Sequence, residues 1–311
     1  MADWLMHPAA SLGGVFSCPG DKSMSHRALL VGALTQGRYR ISNCLPSEDV
    51  ERTRQALLAL GVSIREEAKQ LVVEGRGFSE LAEPAAPLQM GNSGTTARLI
   101  MGLLAAAPFA TTLTGDASLS KRPMGRVREP LEAMGAGFSS PQGNTDRLPL
   151  EIRGGTLQGI RHGMKVPSAQ VKSAILLAGM NAQGSTTLEE PVPTRDHTER
   201  LLVHLGAGLS RQAERITLVP GNPLRARDLN VPGDISSAAF FLVAAILVGR
   251  SKLTLQGVGL NPTRTGLLDL LTQMGAQIRV EERASDWEPQ GDLSAAASKL
   301  RGITVEPVQV P

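Results

Sequence analysis

Four stretches of this chain close on nearly the same phrase: ALLALGVSI, PLEAMGAGF, LLVHLGAGL and LLTQMGAQI. Each sets a glycine (Gly61, Gly135, Gly206, Gly275) directly after an amphipathic run. A glycine there suits the left-handed C′ position that ends an α-helix. The same succession precedes each phrase. First comes a Gly- or Pro-containing turn rich in Ser, Thr, Asn or Asp: CPGDKS from Cys18, MGNSGT from Met90, KVPSAQ from Lys165 and NVPGDIS from Asn230. An apolar helix follows, then a β-rich run: RYRISNC, ATTLTG, STTLEE or SKLTLQG. After each phrase comes a closing strand: LVVEGR, PLEIRGG, ITLVPG or ITVEP. The pattern predicts an α/β fold, with one β-α-β-α-β-β unit used four times in pseudo-symmetric arrangement. One such unit cannot bury both faces of its own sheet, so the copies must pack on one another. A dinucleotide-binding reading is excluded, because no GxGxxG follows a first strand.

At 311 residues the chain has length for two domains of ~150 residues. Its 41% apolar content supports a sizeable core, and its 33 Gly and 20 Pro promise many tight turns. Aromatics make up only 3%, too few to stack nucleic-acid bases, and the net charge is a mild +3. No nucleic-acid partner is expected. Cys18 and Cys44 are the only cysteines and show no metal-ligand spacing, so a reduced cytoplasmic location and no metal are expected. The start, MADWLMHPAASLGG, lacks the features of a signal peptide. The longest apolar run, Ala238–Val248, falls well short of the ~20 residues a membrane helix needs. The expectation is a soluble protein without a membrane partner.

Polar residues collect where each first helix begins. Backbone N–H groups there lack intrahelical partners and the helix dipole is positive, so such a start suits an anion. The candidates are Lys22, Ser23 and Arg27 in the first unit, and Asn92, Ser93, Gly94, Thr95 and Arg98 in the second. In the third they are Ser168, Ala169 and Gln170, while the fourth start, GDISSA, carries no cation. For any single Ser or Asn, plain N-capping is the competing account. A second polar cluster, GDASLSKRPMGRV, spans Gly115–Val127. Lys121 and Arg128 read as a solvated face, whereas Pro-Met-Gly fixes Arg122 at a loop–helix junction. PTRDHTERLL offers Arg195, Asp196 and His197 at the equivalent place. His26, His162, His197 and His204 read as capping or surface residues rather than catalytic ones.

Taken in order along the chain, PGDKSMSHRALL, GNSGTTARL, GDASLSKRPMGRV, VPSAQVKSAILLAG, TRDHTE and NPTRTGLLDLLTQMGA resemble the 5-enolpyruvylshikimate-3-phosphate (EPSP) synthase family. SAQVKSA and TRDHTE are similar to its class II branch. The resemblance implies the enolpyruvyl transferase fold, with two domains of three repeats whose helix N-termini face a cleft. It implies transfer of the enolpyruvyl group from phosphoenolpyruvate to the 5-hydroxyl of shikimate 3-phosphate, with release of phosphate. This is a step of the shikimate pathway of aromatic amino-acid biosynthesis. The route is addition then elimination through a tetrahedral intermediate, with no cofactor.

By the same resemblance Lys22 touches both substrates and is the candidate catalytic group. Ser23, Arg27, Ser168, Ala169, Gln170 and Arg195 serve shikimate 3-phosphate, and Gly94, Arg122 and Gln170 serve phosphoenolpyruvate. Gly94, where tolerant members carry Ala, implies sensitivity to glyphosate. The expected domains are 20–229, with three repeats, and 1–19 plus 230–311, with one. The family's DEIP, KESDR and DHRIA motifs, which carry the base toward the 5-hydroxyl, do not occur in this sequence. The expectation is therefore a C-terminally truncated member that binds substrate, lacks turnover alone, and pairs with a complementing C-terminal fragment. The alternatives are the sister UDP-N-acetylglucosamine enolpyruvyl transferase and a non-catalytic binding subunit. Against the sister family stand Ser23 after Lys22 and the cysteine-free 115–127 loop.

Overall fold

The computed structural model describes Leu5 and residues 7–305. Among these are eight α-helices: α1 Lys22–Leu34, α2 Glu48–Ala59, α3 Gly94–Ala105, α4 Gly125–Ala133, α5 Ala169–Gly179, α6 His197–His204, α7 Ile235–Leu247 and α8 Gly266–Gln273. Odd-numbered helices follow the polar starts, and even-numbered ones end in the recurring glycine phrase. The predicted α/β unit recurs four times.

Four four-stranded sheets share one topology. One runs Leu88–Gln89, Ala110–Thr114, Leu150–Arg153, Gly137–Ser139, and another Arg161–Gly163, Thr186–Glu189, Arg215–Val219, Gly208–Gln212. The first two strands of each are parallel, joined across a helix, and the remaining pairs are antiparallel. The other two sheets follow the same rule with first strands exchanged. Gly13–Ser17 leads into α1 yet pairs with Lys252–Gly259, the strand after α7. Leu229–Asn230 leads into α7 yet pairs with Gln36–Ser42, the strand after α1. The chain accordingly divides into two compact units, residues 1–21 with 232–311 and residues 22–231.

In unit 22–231 the core lies between α1, α3 and α5. Leu29, Leu30, Leu99, Ile100, Met101, Ile175 and Leu176 have no more than trace exposure. A Cβ on Gly102 would lie 2.1 Å from the Ala174 carbonyl oxygen, so α3 and α5 approach backbone to backbone at a point only glycine permits. In the other unit Ile235, Ala238, Leu242, Leu255 and Leu293 form the core, while Phe240 and Leu247 of α7 stand exposed.

All four phrase glycines adopt positive φ, between 84° and 111°. Each closes a Schellman motif. Gly61 N–H donates to Leu58 O and Val62 N–H to Leu57 O, and the same pair of bonds recurs at Gly135/Ala136, Gly206/Ala207 and Gly275/Ala276. The repeated phrase is thus one helix stop, met four times.

One expected strand is displaced. ITVEP is not the closing strand of the fourth unit: Ile303–Val305 are irregular, and Glu306 and Pro307 lie outside the described residues. The closing strand is Gln290–Ala296, paired antiparallel with both Lys252–Gly259 and Gln277–Arg283. Its strict alternation puts Gly291, Leu293 and Ala295 inward, a period-2 signal masked by small residues of low β-propensity.

These two kinds of glycine make different predictions. Gly135→Ala meets only the Thr156 carbonyl at 3.5 Å, so its cost is backbone strain, about 1–2 kcal/mol. Gly102→Ala must separate α3 from α5, and about 3 kcal/mol or more is expected. Urea unfolding of both variants checks the ranking.

Candidate functional site

The first turns of α1, α3 and α5 are joined by hydrogen bonds within unit 22–231. Gln170 at the start of α5 donates from Nε2 to Thr95 Oγ1 on α3 at 3.0 Å. Arg98 of α3 donates to Gln170 Oε1 at 3.4 Å, and to the Gly94 and Pro123 carbonyls. Arg27 of α1 is buried and reaches the same region: Nε donates to Thr198 Oγ1 at 2.7 Å and Nη2 to Ser173 Oγ at 2.9 Å. Its Nη1 returns to the Ser23 carbonyl at 2.9 Å, tying the guanidinium to its own helix start.

Beneath these ends runs a buried chain of hydroxyls. His26 Nδ1 lies 2.7 Å from Thr53 Oγ1, which lies 2.7 Å from Thr96 Oγ1, itself 2.7 Å from Ser93 Oγ. It links α1, α2 and the start of α3, so the helix ends are fixed by bonds that loop mobility cannot supply.

The charge balance at the α3 start is one-sided. Arg122 donates to Asn92 Oδ1 at 2.6 Å and to Ser118 Oγ at 3.4 Å. All the hydrogen-bond partners described for Arg98 and Arg122 are neutral groups. Burial, and then the like charges of Arg122 and Arg126, lower the pKa of Arg98. An anion between these guanidiniums would relieve that repulsion and gain bidentate hydrogen bonds. Gly94 sits in the gap: a Cβ there would be 2.7 Å from Arg98 Nη1 and 3.3 Å from Arg122 Nη1.

Lys22 pairs with Asp49 at 2.9 Å, both side chains partly exposed, a contact worth about 0–1 kcal/mol. It is easily exchanged for a ligand anion. Ser168 is the N-cap of α5, accepting from Val171 N–H at 3.4 Å, and Ser93 caps α3 in the same way at 3.3 Å. The capping account therefore holds for both serines. Ala169 and Gln170 open α5. Ser23 is half-buried, and Arg195 is exposed on the loop before α6.

Several expectations need correction. Arg128 is not a solvated residue; its side chain is 18% exposed and pairs with Glu132. His26 and His197 are buried rather than on the surface. The fourth start has a cation after all, supplied from a distance. Arg264 reaches Asp21 at 3.0 Å, Asp234 at 3.4 Å and Ser236 Oγ at 2.7 Å. Asp49, Ser173, Thr198 and the buried Lys172 had no local signal marking them, since each matters through partners far away in sequence. A surface groove of about 620 Å³, lined by Cys44, Glu51, Arg54 and Lys69 among others, contains none of the residues at the starts of α1, α3 and α5. There the Arg54 charge is already met by both oxygens of Glu51, so an anion gains little. Among the described residues no group of three or more His, Cys, Asp or Glu could hold a metal, and no helix is long and apolar enough to cross a membrane.

Residues 6–311 match the family model described as EPSP synthase (3-phosphoshikimate 1-carboxyvinyltransferase). A 3-phosphoshikimate 1-carboxyvinyltransferase of Limosilactobacillus fermentum is 51% identical over 302 residues, covering 96% of this chain and 69% of that one. One from Acidithiobacillus ferrooxidans is 47% identical over 313 residues, covering 100% of this chain and 72% of its own. A solved EPSP synthase from Acinetobacter baumannii superposes with a TM-score of 0.90 at 44% identity, covering 96% of this chain and 68% of that one.

The Arg98–Gly94–Arg122 arrangement predicts that inorganic phosphate raises the melting temperature by binding the folded state. Gly94→Ala displaces the flexible end of Arg98, so it is expected to leave the basal melting temperature nearly unchanged while reducing the phosphate shift. Thermal melts across a phosphate series check this; an undiminished shift would place the anion elsewhere.

Proposed function

Since the chain belongs to the EPSP synthase family, we propose that its joined helix starts hold shikimate 3-phosphate and phosphoenolpyruvate for enolpyruvyl transfer. The observation that carries this reading is the meeting of three helix N-termini with two guanidiniums that have only neutral partners. Both substrates are polyanions, and transfer requires them side by side.

Each residue has a role its geometry supports. Ser168, Ala169 and Gln170 offer the N-terminal turn of α5 to the shikimate phosphate, with Ser23 and Arg27 beside it and Arg195 on the adjoining loop. Arg27 stays in place because Ser173 and Thr198 accept from it. Gly94 leaves room for the phosphoenolpyruvate phosphate between Arg98 and Arg122, and Gln170 bridges the two halves by donating to Thr95. Lys22, released from Asp49, places its compact positive charge where both anions meet.

In the transfer, the 5-hydroxyl oxygen gives up its proton and bonds to C2 of phosphoenolpyruvate as the C2–C3 double bond opens and C3 gains a proton. The tetrahedral intermediate then loses phosphate as C3 gives up a proton. Charge grows on the phosphate oxygens as they leave, and fixed cations stabilise it without reorganising. The sister UDP-N-acetylglucosamine activity is disfavoured by Ser23 and by the cysteine-free 115–127 loop.

Isothermal titration of the whole chain with shikimate 3-phosphate is the direct test, with UDP-N-acetylglucosamine as control. Saturable binding of the first alone is expected. Lys22→Met should weaken it at least tenfold, about 1.4 kcal/mol, with an unchanged melting temperature. Binding of the control instead would overturn the reading.

A further inference from the structure

Lys172 occupies the first turns of α5, two residues after Gln170, and is completely buried. Buried lysines need partners, and this one has several. Its Nζ lies 2.8 Å from Glu190 Oε1 and 2.7 Å from Glu199 Oε1, and donates to the Thr194 carbonyl at 3.4 Å. Arg211 meets Glu190 from the other side at 3.2 Å. Two cations and two carboxyl groups thus form one cluster, in which burial raises the pKa of Glu199 and the Lys172 charge opposes that rise.

Its members come from three places: Lys172 from α5, Glu199 from α6, and Glu190 from the end of the Thr186–Glu189 strand. Glu190 Oε1 also accepts from Thr194 N–H at 3.0 Å and from the Thr194 hydroxyl. The 190–196 loop is therefore folded onto this one carboxylate, and Arg195 follows Thr194 directly. At the far end Arg200 grips Asp196 with both carboxylate oxygens at 2.9 Å. The neighbouring Ser173 faces Thr198 and Arg27, so adjacent α5 residues carry an ionic link to the loop and a neutral link to α1.

We propose that Lys172, through Glu190 and Glu199, is a positioning residue that holds the first turn of α5 and the 190–196 loop in register for the shikimate phosphate. The ligand part of this inference rests on the function proposed above. Without the lysine ammonium, two buried carboxylates face one another with only Arg211 between them. Glu199, whose pKa burial already raises, can relieve this by taking up a proton, but Glu190 then keeps only Arg211 and the Thr194 groups, and the loop with Thr194 and Arg195 loses its tie to α5 and moves away from Ser168–Gln170.

Lys172→Met leaves that repulsion in place. Lys172→Met/Glu199→Gln removes one charge of each sign and so the repulsion, but it also lacks the ammonium tie to Glu190 and the Thr194 carbonyl, so the same loosening is expected and this double variant carries the test if the single one unfolds. Amide hydrogen exchange on the unligated chain is expected to quicken at least tenfold at residues 192–196 and 169–171, with α1 and α3 unchanged. Shikimate 3-phosphate affinity should fall at least tenfold in the same variant. Parental exchange at both stretches, or faster exchange spread through α1 and α3, would overturn the positioning role. Exchange confined to the two stretches with parental affinity would equally remove the link to the phosphate. If the parent itself binds no shikimate 3-phosphate, the proposed function fails, while the exchange data still decide whether Lys172 holds the loop.

Discussion

The backbone contact between α3 and α5 at Gly102 and Ala174 sets the rest of unit 22–231. Two helices that close cannot diverge much over two turns, so their N-termini arrive within reach of one polar side chain. The Gln170–Thr95 hydrogen bond at 3.0 Å is the outcome. Larger residues at Gly102 would widen the gap beyond a single hydrogen bond, and two helix starts would act as two weak anion sites instead of one.

Packing alone would leave those ends free to fray, since the first turn of any helix lacks half its hydrogen bonds. Here every start is tied down by side chains from a different helix. Thr53 of α2 steadies Thr96 of α3, Thr198 of α6 steadies Arg27 of α1, and Glu199 of α6 steadies Lys172 of α5. Helices α2 and α6, each stopped by the same Schellman glycine, thus act as braces for α1, α3 and α5. The partners described for Arg98 and Arg122 are neutral, and this matters chemically: a carboxylate in their place would fix the geometry equally well but would cancel the charge needed for an anion.

What could be read from the sequence follows the range of the interactions involved. The four helix stops were legible because a Schellman motif is local, with glycine, apolar C″ residue and amphipathic run all within a few positions. The polar helix starts were legible for the same reason. The closing strand of the fourth unit was misplaced because QGDLSAA has the right alternation in residues too small to look like a strand, while ITV has the right residues without partners. The exchange of Gly13–Ser17 and Leu229–Asn230 between sheets, and the joining of Lys172 to Glu190 and Glu199, depend on which distant segments meet. Local pattern carries no trace of that. Arg264 shows the same limit: NPTRTG stands out in the sequence, but nothing in it points to Asp21 or Asp234.

The fourth start explains, by contrast, what the α3 and α5 starts have in common. α7 begins like α1, α3 and α5 with a polar turn, yet its N-cap is Asp234, which accepts from Ser236 N–H at 2.8 Å. A carboxylate therefore already occupies the place an anionic ligand would take at this helix end. Burial, followed by the nearby Asp21 charge, raises the pKa of Asp234, as expected where two carboxyl groups share one helix end. Arg264 is drawn in to balance the two carboxylates, and its guanidinium is spent on the protein itself. At α3 and α5 the cap is a serine, which satisfies the backbone without contributing charge, and the helix dipole stays available. The same repeat thus yields an anion-ready end at α3 and α5 or a self-neutralised joint at α7 according to whether its cap is Ser or Asp, while α1, which follows Asp21, differs from α7 in carrying its own Lys22 and Arg27.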